Sequence, residues 1–431
     1  MKIRGLYTKS FEPFGVLEME FPAVENPSAL AEVHLLTGVN GTGKTRLLSL
    51  LAAGLGNGTS LMARLGGEEN VTLFSSPDLG SLAEIQIQHL GPITTNSFFS
   101  NQSGSKFYIS NSSRDNHLIQ VPASALAKLP CYAYSGDVHV SDCGITPMKA
   151  VAVPRKDVSL SFQKPATSSK DLAQALSNLS LSAAQHIRNH GGYEEAKIRS
   201  RQFRLISYIE ESISKLAGRR IAFEVVSEPS TMLMVNWGRK PLPFNLLPDG
   251  LRSILGWLVE LAVVMDLTYP NEENPWAQPL IVLLDEVECH LHPSWQRQVI
   301  PMAQRMFPQA QIFVATHSPF VVSSVNEGWI HNFNINKEGL VTVDPPLKAS
   351  EGDSYVQVLG SIMGVTELYD PDTEELLSDY RELRTQALRK LPGKKEEAVQ
   401  MAERISSRGP ELAYMMTKEM AQLEKMLNGS H

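Results

Sequence analysis

Cysteine is scarce: Cys131, Cys143 and Cys289 are the three in 431 residues. That is too few for a disulfide framework, so the chain is expected in the reducing cytoplasm. No apolar run approaches the ~18 residues of a spanning helix, and no membrane association is expected. The opening Met1-Lys2-Ile3-Arg4-Gly5-Leu6-Tyr7 passes straight into a strand-like alternation without the apolar core of a leader. Positive charge is not in excess either. A net charge of −7 argues against a general nucleic-acid coat, although a local basic groove for DNA stays open.

With 42% hydrophobic residues over this length, the chain can bury a large core in two or three domains, or in one domain with sizeable insertions. Its organising stretch is Gly38-Val39-Asn40-Gly41-Thr42-Gly43-Lys44-Thr45. This matches G-x-x-x-x-G-K-[ST], follows an apolar strand-like run at 33–36 and opens a helix-like run at 46–53, the context a phosphate-binding loop requires. The glycines allow the backbone to curl so that its N–H groups face the phosphates, and the helix dipole behind them favours negative charge. Lys44 supplies a cation, and the Thr45 hydroxyl is placed to ligate Mg²⁺.

Residues 1–36 read as a β-ribbon with a turn at Glu12-Pro13-Phe14-Gly15. Phe11 or Phe14 could stack on a nucleotide base, the other reading being a core aromatic. Residues 55–130, rich in Gly, Ser and Asn with short alternating runs, predict an antiparallel sheet with long loops. Helical spacing follows at 168–217, as a lobe. Its Arg199, Arg201 and Arg204, with Arg219 and Arg220, form either a solvated basic face or a nucleic-acid contact. A hairpin pattern at 221–226 and 232–237 leads through Leu247-Pro248-Asp249-Gly250 to an apolar helix at 251–266.

The second chemical centre is Leu280-Ile281-Val282-Leu283-Leu284-Asp285-Glu286. A continuous apolar run reads as a parallel strand buried on both faces, and ligands of such sheets gather at the strands' carboxyl ends. Asp285 is then placed to hold Mg²⁺ and Glu286 to act as general base on the attacking water. Neighbouring residues on a continuing strand face opposite ways, so the chain must bend at Glu286 for both to serve one nucleotide. Another apolar run, at 311–315, ends in Thr316-His317-Ser318-Pro319, where a neutral imidazole could bridge phosphate and water.

Taken together, Thr37 to Thr45, Leu247-Pro248-Asp249-Gly250, Leu283-Leu284-Asp285-Glu286-Val287-Glu288, His290-Leu291-His292-Pro293-Ser294-Trp295-Gln296 and Ala315-Thr316-His317-Ser318-Pro319 resemble ABC-type ATPases of the SMC, RecF and OLD group. The match is to the short AAA-type prokaryotic branch found in phage-defence operons, with Septu-type and retron-associated ATPases, and without a Toprim domain. The resemblance implies an α/β fold of ABC/SMC-head type: a mixed central sheet with an antiparallel β subdomain, a helical lobe and a carboxy-terminal helical extension. It implies ATP and Mg²⁺ as cofactors. Gly38, Asn40, Gly41, Thr42, Gly43, Lys44 and Thr45 would form Walker A, Asp285 and Glu286 Walker B, His290 to Pro293 the D-loop and His317 the switch histidine. Asp249 and Gly250 would belong to the signature loop that reaches a second subunit's nucleotide. Cys289, His290 and His292 lack a fourth ligand for zinc.

Two departures stand out. Leu247-Pro248-Asp249-Gly250 replaces Leu-Ser-x-Gly, so the serine hydroxyl is missing and Asp249 adds negative charge unless it turns away or caps the next helix. Contacts in trans would then rest on the N–H groups of Gly250 and Leu251, with Arg252. No Q-loop glutamine is evident after Tyr134, Gln163 being a weak candidate.

The expected division is an ATPase domain at 1–345, with the lobe at about 168–218 inserted, and a helical region at 346–431 for partner docking. Asp370-Pro371-Asp372 superficially matches a nuclease Asp-x-Asp, but it lacks a preceding apolar strand and reads as a helix start. The resemblance implies an ATPase that forms a head-to-tail homodimer, or a higher even-numbered oligomer, and regulates a separate nuclease or toxin effector in anti-phage defence. The alternatives are a DNA-repair clamp and an ATP-bound scaffold that does not hydrolyse.

Overall fold

The computed structural model describes residues 2–11, 13–24, 30–55, 81–88, 93–100, 107–111, 130–136, 149–154, 162, 169–190, 200–226, 231–238, 240–325, 327–349, 352 and 354–427. They fall into two compact units, 1–358 and 359–431.

The first unit opens with β1 (Lys2–Phe11), β2 (Gly15–Glu20) and β3 (Glu32–Gly38), followed by helix α1 (Lys44–Gly54). Next come β4 (Ser81–Gln88), β5 (Ile93–Ser100), β6 (Phe107–Asn111) and β7 (Cys131–Ser135). The lobe is α2 (Ser169–His190) and α3 (Arg201–Ala217), with β8 (Ala222–Val226), β9 (Met232–Asn236) and β10 (Pro241–Leu242) beside it. The apolar helix starts as α4 (Asp249–Ile254), widens into a π turn at Leu255–Val259 and continues as α5 (Glu260–Thr268). Then follow β11 (Leu280–Asp285), α6 (Pro293–Met306), β12 (Ala310–Ala315), α7 (Pro319–Val322), β13 (Gly328–Ile335), β14 (Val341–Val343) and β15 (Leu347–Lys348).

Among the described residues the central sheet runs β14-β13-β3-β12-β11-β7, with β15 also on β13. The five strands β13, β3, β12, β11 and β7 are parallel, whereas β14 and β15 pair with β13 antiparallel. Their apolar runs follow from burial on both faces: every residue of β11 and β12 is buried. Leu47, Leu48, Leu50 and Leu51 of α1 pack with Ile281, Leu283, Phe313 and Phe333 of the sheet in one core. A second sheet, β2-β1-β4-β5-β6, is antiparallel, as the alternating runs predict.

A buried polar seam fastens the ribbon to the central sheet. The Gln311 amide accepts from the Ile3 N–H at 2.7 Å and donates to the Ile3 carbonyl at 2.9 Å and to Glu32 at 2.7 Å. The Arg4 guanidinium forks onto both Glu32 oxygens at 2.6 and 3.0 Å. These partners and His34 hold the Glu32 carboxyl well below its ordinary range against the opposing effect of burial. A wholly satisfied network of this kind specifies one docking geometry for the ribbon.

The turn between β1 and β2 thereby lands on the phosphate-binding loop. Phe14 is buried and meets Phe333 edge-on, ring centroids 6.3 Å apart, and both Pro13 and Phe14 crowd Gly43. Phe14 is therefore a core aromatic and not a platform for a base. The side chain of Phe11 lies outside the described ones.

In the lobe, Arg201 pairs with Asp266 at 2.5 Å and donates to the Tyr269 and Glu272 carbonyls, and Arg219 lies over the Trp237 ring. At least these two arginines of the basic stretch have structural partners, while Arg199 lies outside the described residues.

Helix α8 (Tyr355–Ser361) crosses the boundary between the units, and α9 (Pro371–Leu388), α10 (Lys394–Ser406) and α11 (Pro410–Leu427) form the second. Leu376, Leu377, Tyr380, Ala398, Ile405, Leu412 and Met416 make its core. Asp370 caps α9 by accepting from the Thr373 N–H at 3.1 Å, with Pro371 in the first turn. The Asp-Pro-Asp sequence is thus the helix start its context suggested.

Candidate active site

Gly38, at the end of β3, has φ +138°, and Gly41 and Gly43 in the loop have φ +84° and +78°. The Gly38 position is doubly constrained, since a Cβ there would lie 2.2 Å from the Phe333 carbonyl oxygen. Gly38→Ala is expected to lower stability by ~2 kcal/mol or more, read as an earlier urea midpoint.

Lys44 is buried, and its ammonium donates to the Gly38 and Val39 carbonyls at 2.9 and 3.0 Å and to the Thr42 hydroxyl at 3.3 Å. The Thr42 hydroxyl in turn donates to the Val39 carbonyl at 2.9 Å, and Asn40 is exposed at the loop's tip. Burial pulls Lys44 down to about 8 although Asp285, Glu288 and Glu286 all favour its charged form. The three carboxylates and this ammonium thus share one electrostatic field.

The carboxyl ends of β3, β12, β11 and β7 lie level, with Leu36 opposite Ala315, Ala315 opposite Asp285, and Asp285 opposite Ser135. The ladder runs one step further: Thr316 N–H donates to Leu36, Glu286 N–H to Ala315, and Gly136 N–H to Asp285, at 3.1, 2.9 and 3.0 Å. This register brings the Thr45 hydroxyl within 2.8 Å of Asp285 Oδ1, across 240 residues of sequence. A hydroxyl and a carboxylate oxygen are the hard donors that Mg²⁺ takes, and the loop's N–H cradle suits phosphate. The residues present therefore fit a nucleotide with Mg²⁺.

At Glu286 the chain leaves the strand with φ +52°, an uncommon conformation for a residue with a side chain. That is the bend the two adjacent acids need. Asp285 stays buried beside Thr45 while Glu286 is exposed. His317 belongs to the same field: burial and the Lys44 charge lower its pKa, with Glu286 opposing. Its imidazole is accordingly neutral at pH 7, the form that can accept a hydrogen bond at one nitrogen while donating at the other. Lys44, Asp285, Glu286 and His317 thus meet at one edge of the sheet.

Asp249 and Gly250 are placed elsewhere. Pro248, not Asp249, is the N-cap of α4; Asp249 is in the first turn and pairs with Arg252. The Leu251 and Arg252 N–H groups both donate to the Pro248 carbonyl. Within the chain, the Leu251 N–H is thus engaged by the helix's own first turn and the Arg252 side chain by Asp249. Gly250 is buried against His290: a Cβ would lie 2.9 Å from the His290 carbonyl oxygen. Gln163 lies outside the described residues.

Two side chains without an assigned role in the motif reading join the site. Glu288 accepts from the His317 N–H at 2.6 Å, and Gln296 bridges the Ser318 hydroxyl and the Leu291 carbonyl at 2.6 and 2.9 Å. The sequence signal was the third acid of Asp285-Glu286-Val287-Glu288, which spacing alone could not direct toward His317.

Residues 160–323 match the family described as "AAA domain, putative AbiEii toxin, Type IV TA system". The "Retron Ec83 probable ATPase" of Escherichia coli is 32% identical over 152 residues, 35% of this chain and 27% of the relative. The "Septu protein PtuA" of Bacillus thuringiensis is 24% identical over 165 residues, 37% of this chain and 42% of the relative. The chain therefore spans less than half the length of either. The SMC head domain from Thermotoga maritima aligns with 80% of this chain and 99% of its own, at 16% identity and a TM-score of 0.42. The likeness drawn from the motifs is borne out: the chain is similar to AAA-type ATPases of retron and Septu systems.

Proposed function

We propose that the chain binds ATP with Mg²⁺ in the Gly38–Thr45 cradle, hydrolyses it, and uses the cycle to control a separate effector in anti-phage defence. The observation that carries this reading is the 2.8 Å approach of Thr45 to Asp285 inside the field shared by Lys44, Glu286 and His317. Mg²⁺, when bound, supplies the charge neutralisation that phosphoryl transfer requires. The Thr45 hydroxyl and Asp285 would hold it, and the backbone of residues 38–45 and Lys44 would hold the phosphates. Glu286, free of the strand's plane, accepts a proton from the attacking water, and neutral His317 orients that water by hydrogen bonding.

The defence role and the effector, a nuclease or toxin, rest on the likeness to retron and Septu proteins. The partner-docking role belongs to the helices beyond residue 358 in this reading, since they carry an independent core and no cluster of potential metal ligands among the described residues. No helix among the described residues is long and apolar enough to cross a membrane, and a cytoplasmic setting is part of the proposal.

Two copies would close head to tail on two nucleotides, because a loop that completes its neighbour's site is satisfied reciprocally under a two-fold axis. If only the closed pair binds ATP well, ATP at a hundred times its dissociation constant favours closure by about 2.7 kcal/mol per site. Light scattering of the purified chain is expected to give the dimer mass, or an even multiple, with Mg²⁺-ATP. An unchanging monomer at all ATP concentrations would remove the two-copy reading, and absence of Mg²⁺-dependent phosphate release would remove the ATPase.

A further inference from the structure

We infer that Glu288 and Gln296 are positioning residues that fasten the His317 turn to the loop at 290–293, so that movement of this loop reaches the histidine. This rests on the ATPase reading of the same site.

The two segments belong to different strand ends and are stitched by consecutive residues. Glu288 Oε1 takes the His317 N–H at 2.6 Å, a short charge-assisted bond. One residue on, the Ser318 hydroxyl donates to Gln296 Oε1 at 2.6 Å, and Gln296 Nε2 donates to the Leu291 carbonyl at 2.9 Å. Ser318 is itself fixed as the N-cap of α7, its hydroxyl accepting from the Phe320 and Val321 N–H groups at 3.2 and 3.3 Å. On the other side, the Leu291 N–H closes a turn onto the Glu288 carbonyl at 3.0 Å. The 288–291 turn and the 316–318 turn therefore cannot shift independently without breaking a hydrogen bond at 2.6 Å.

Burial raises the Glu288 pKa, while its hydrogen bonds to the His317 N–H and the Thr316 hydroxyl oppose that shift. A buried carboxylate is costly unless its oxygens are paired, and here its partners lie on the turn that carries His317. Moreover, Gly250 packs on the His290 carbonyl, so the stitched loop also touches the start of α4. The clamp therefore joins the turn carrying His317 to a surface formed by two loops.

The test is steady-state ATP hydrolysis by the full chain, with binding of a fluorescent ATP analogue measured alongside. Glu288→Ala is expected to lower kcat about tenfold to a hundredfold, the scale of a misplaced reacting group, with KM and analogue affinity within about twofold. Gln296→Ala is expected to lower kcat about fivefold in the same pattern. Glu288→Gln, whose amide oxygen still accepts from the His317 N–H, is expected to keep at least about half the wild-type kcat. Combined with His317→Ala, Glu288→Ala should add less than about twofold, because both variants remove one function. The Gln296→Ala and His317→Ala pair supplies the same cycle if Glu288→Ala does not fold. Losses that multiply in the double variant, a loss confined to KM, or Glu288→Gln as slow as Glu288→Ala would overturn the assignment. A wild type without Mg²⁺-dependent hydrolysis would overturn the underlying reading as well, whereas wild-type turnover with multiplying losses overturns this inference alone.

Discussion

Glu286→Gln is expected to keep nucleotide binding within about twofold of wild type and to slow hydrolysis by about a hundredfold or more, the usual range for removing a general base. The reason lies in the division of labour at the end of β11. Asp285 is buried against Thr45, so the metal-holding oxygens survive the change. Glu286 turns out of the strand at φ +52° and its side chain is exposed toward the edge that Lys44 and His317 share. An amide keeps the shape and cannot take the proton. Backbone strain of this sort costs on the order of 1–3 kcal/mol and persists where the surroundings enforce it. Here the Glu286 N–H donates to Ala315 and its carbonyl accepts from Cys289, which enforces the bend from both sides. Single-turnover hydrolysis, with analogue binding as control, separates the two effects. Wild-type turnover in purified Glu286→Gln would remove Glu286 as the base.

Lys44→Ala is expected to act on the other term and weaken nucleotide binding by about a hundredfold or more. Truncating one partner of a desolvated charge pair costs ~2–5 kcal/mol, and each ~1.4 kcal/mol is tenfold in affinity. The ammonium is buried, and burial already lowers its pKa to about 8, so polyphosphate would be a more effective counter-charge than the loop carbonyls that hold it. Removing it also leaves the Gly38 and Val39 carbonyls without their 2.9 and 3.0 Å donor. Part of the effect is therefore a looser cradle, distinguishable by Lys44→Arg, which restores charge but not the compact ammonium geometry. Analogue titration showing wild-type affinity in Lys44→Ala would end the assignment of this loop to phosphate. With Glu286→Gln it forms a pair of opposite signature, binding lost in one and hydrolysis in the other.

Much of this was readable from local spacing. The glycine positions of residues 38–43 carry positive φ at Gly38, Gly41 and Gly43 as the motif required, and the run at 280–285 is a fully buried strand ending in its acids. The bend at Glu286 followed from the alternation of side chains on a strand, and the cap at Asp370 from residue preference at helix starts. Each is a property of a few consecutive residues, whose backbone geometry their chemistry restricts.

Other features could not be read this way. Whether Phe14 faces a base or the core depended on how the ribbon docks, which Gln311 and Arg4 determine through contacts far along the chain. Asp249 could cap, repel or pair, and the geometry of α4 selected Arg252. Glu288 and Gln296 carry no distinctive local pattern; their significance arises when β11 and β12 lie side by side and the turns beyond them meet. The amino-acid order by itself thus determined which groups are chemically capable and where each strand delivers them. Only the tertiary structure decided which groups meet, because a hydrogen bond such as Thr45 to Asp285 depends on the register of strands separated by hundreds of residues.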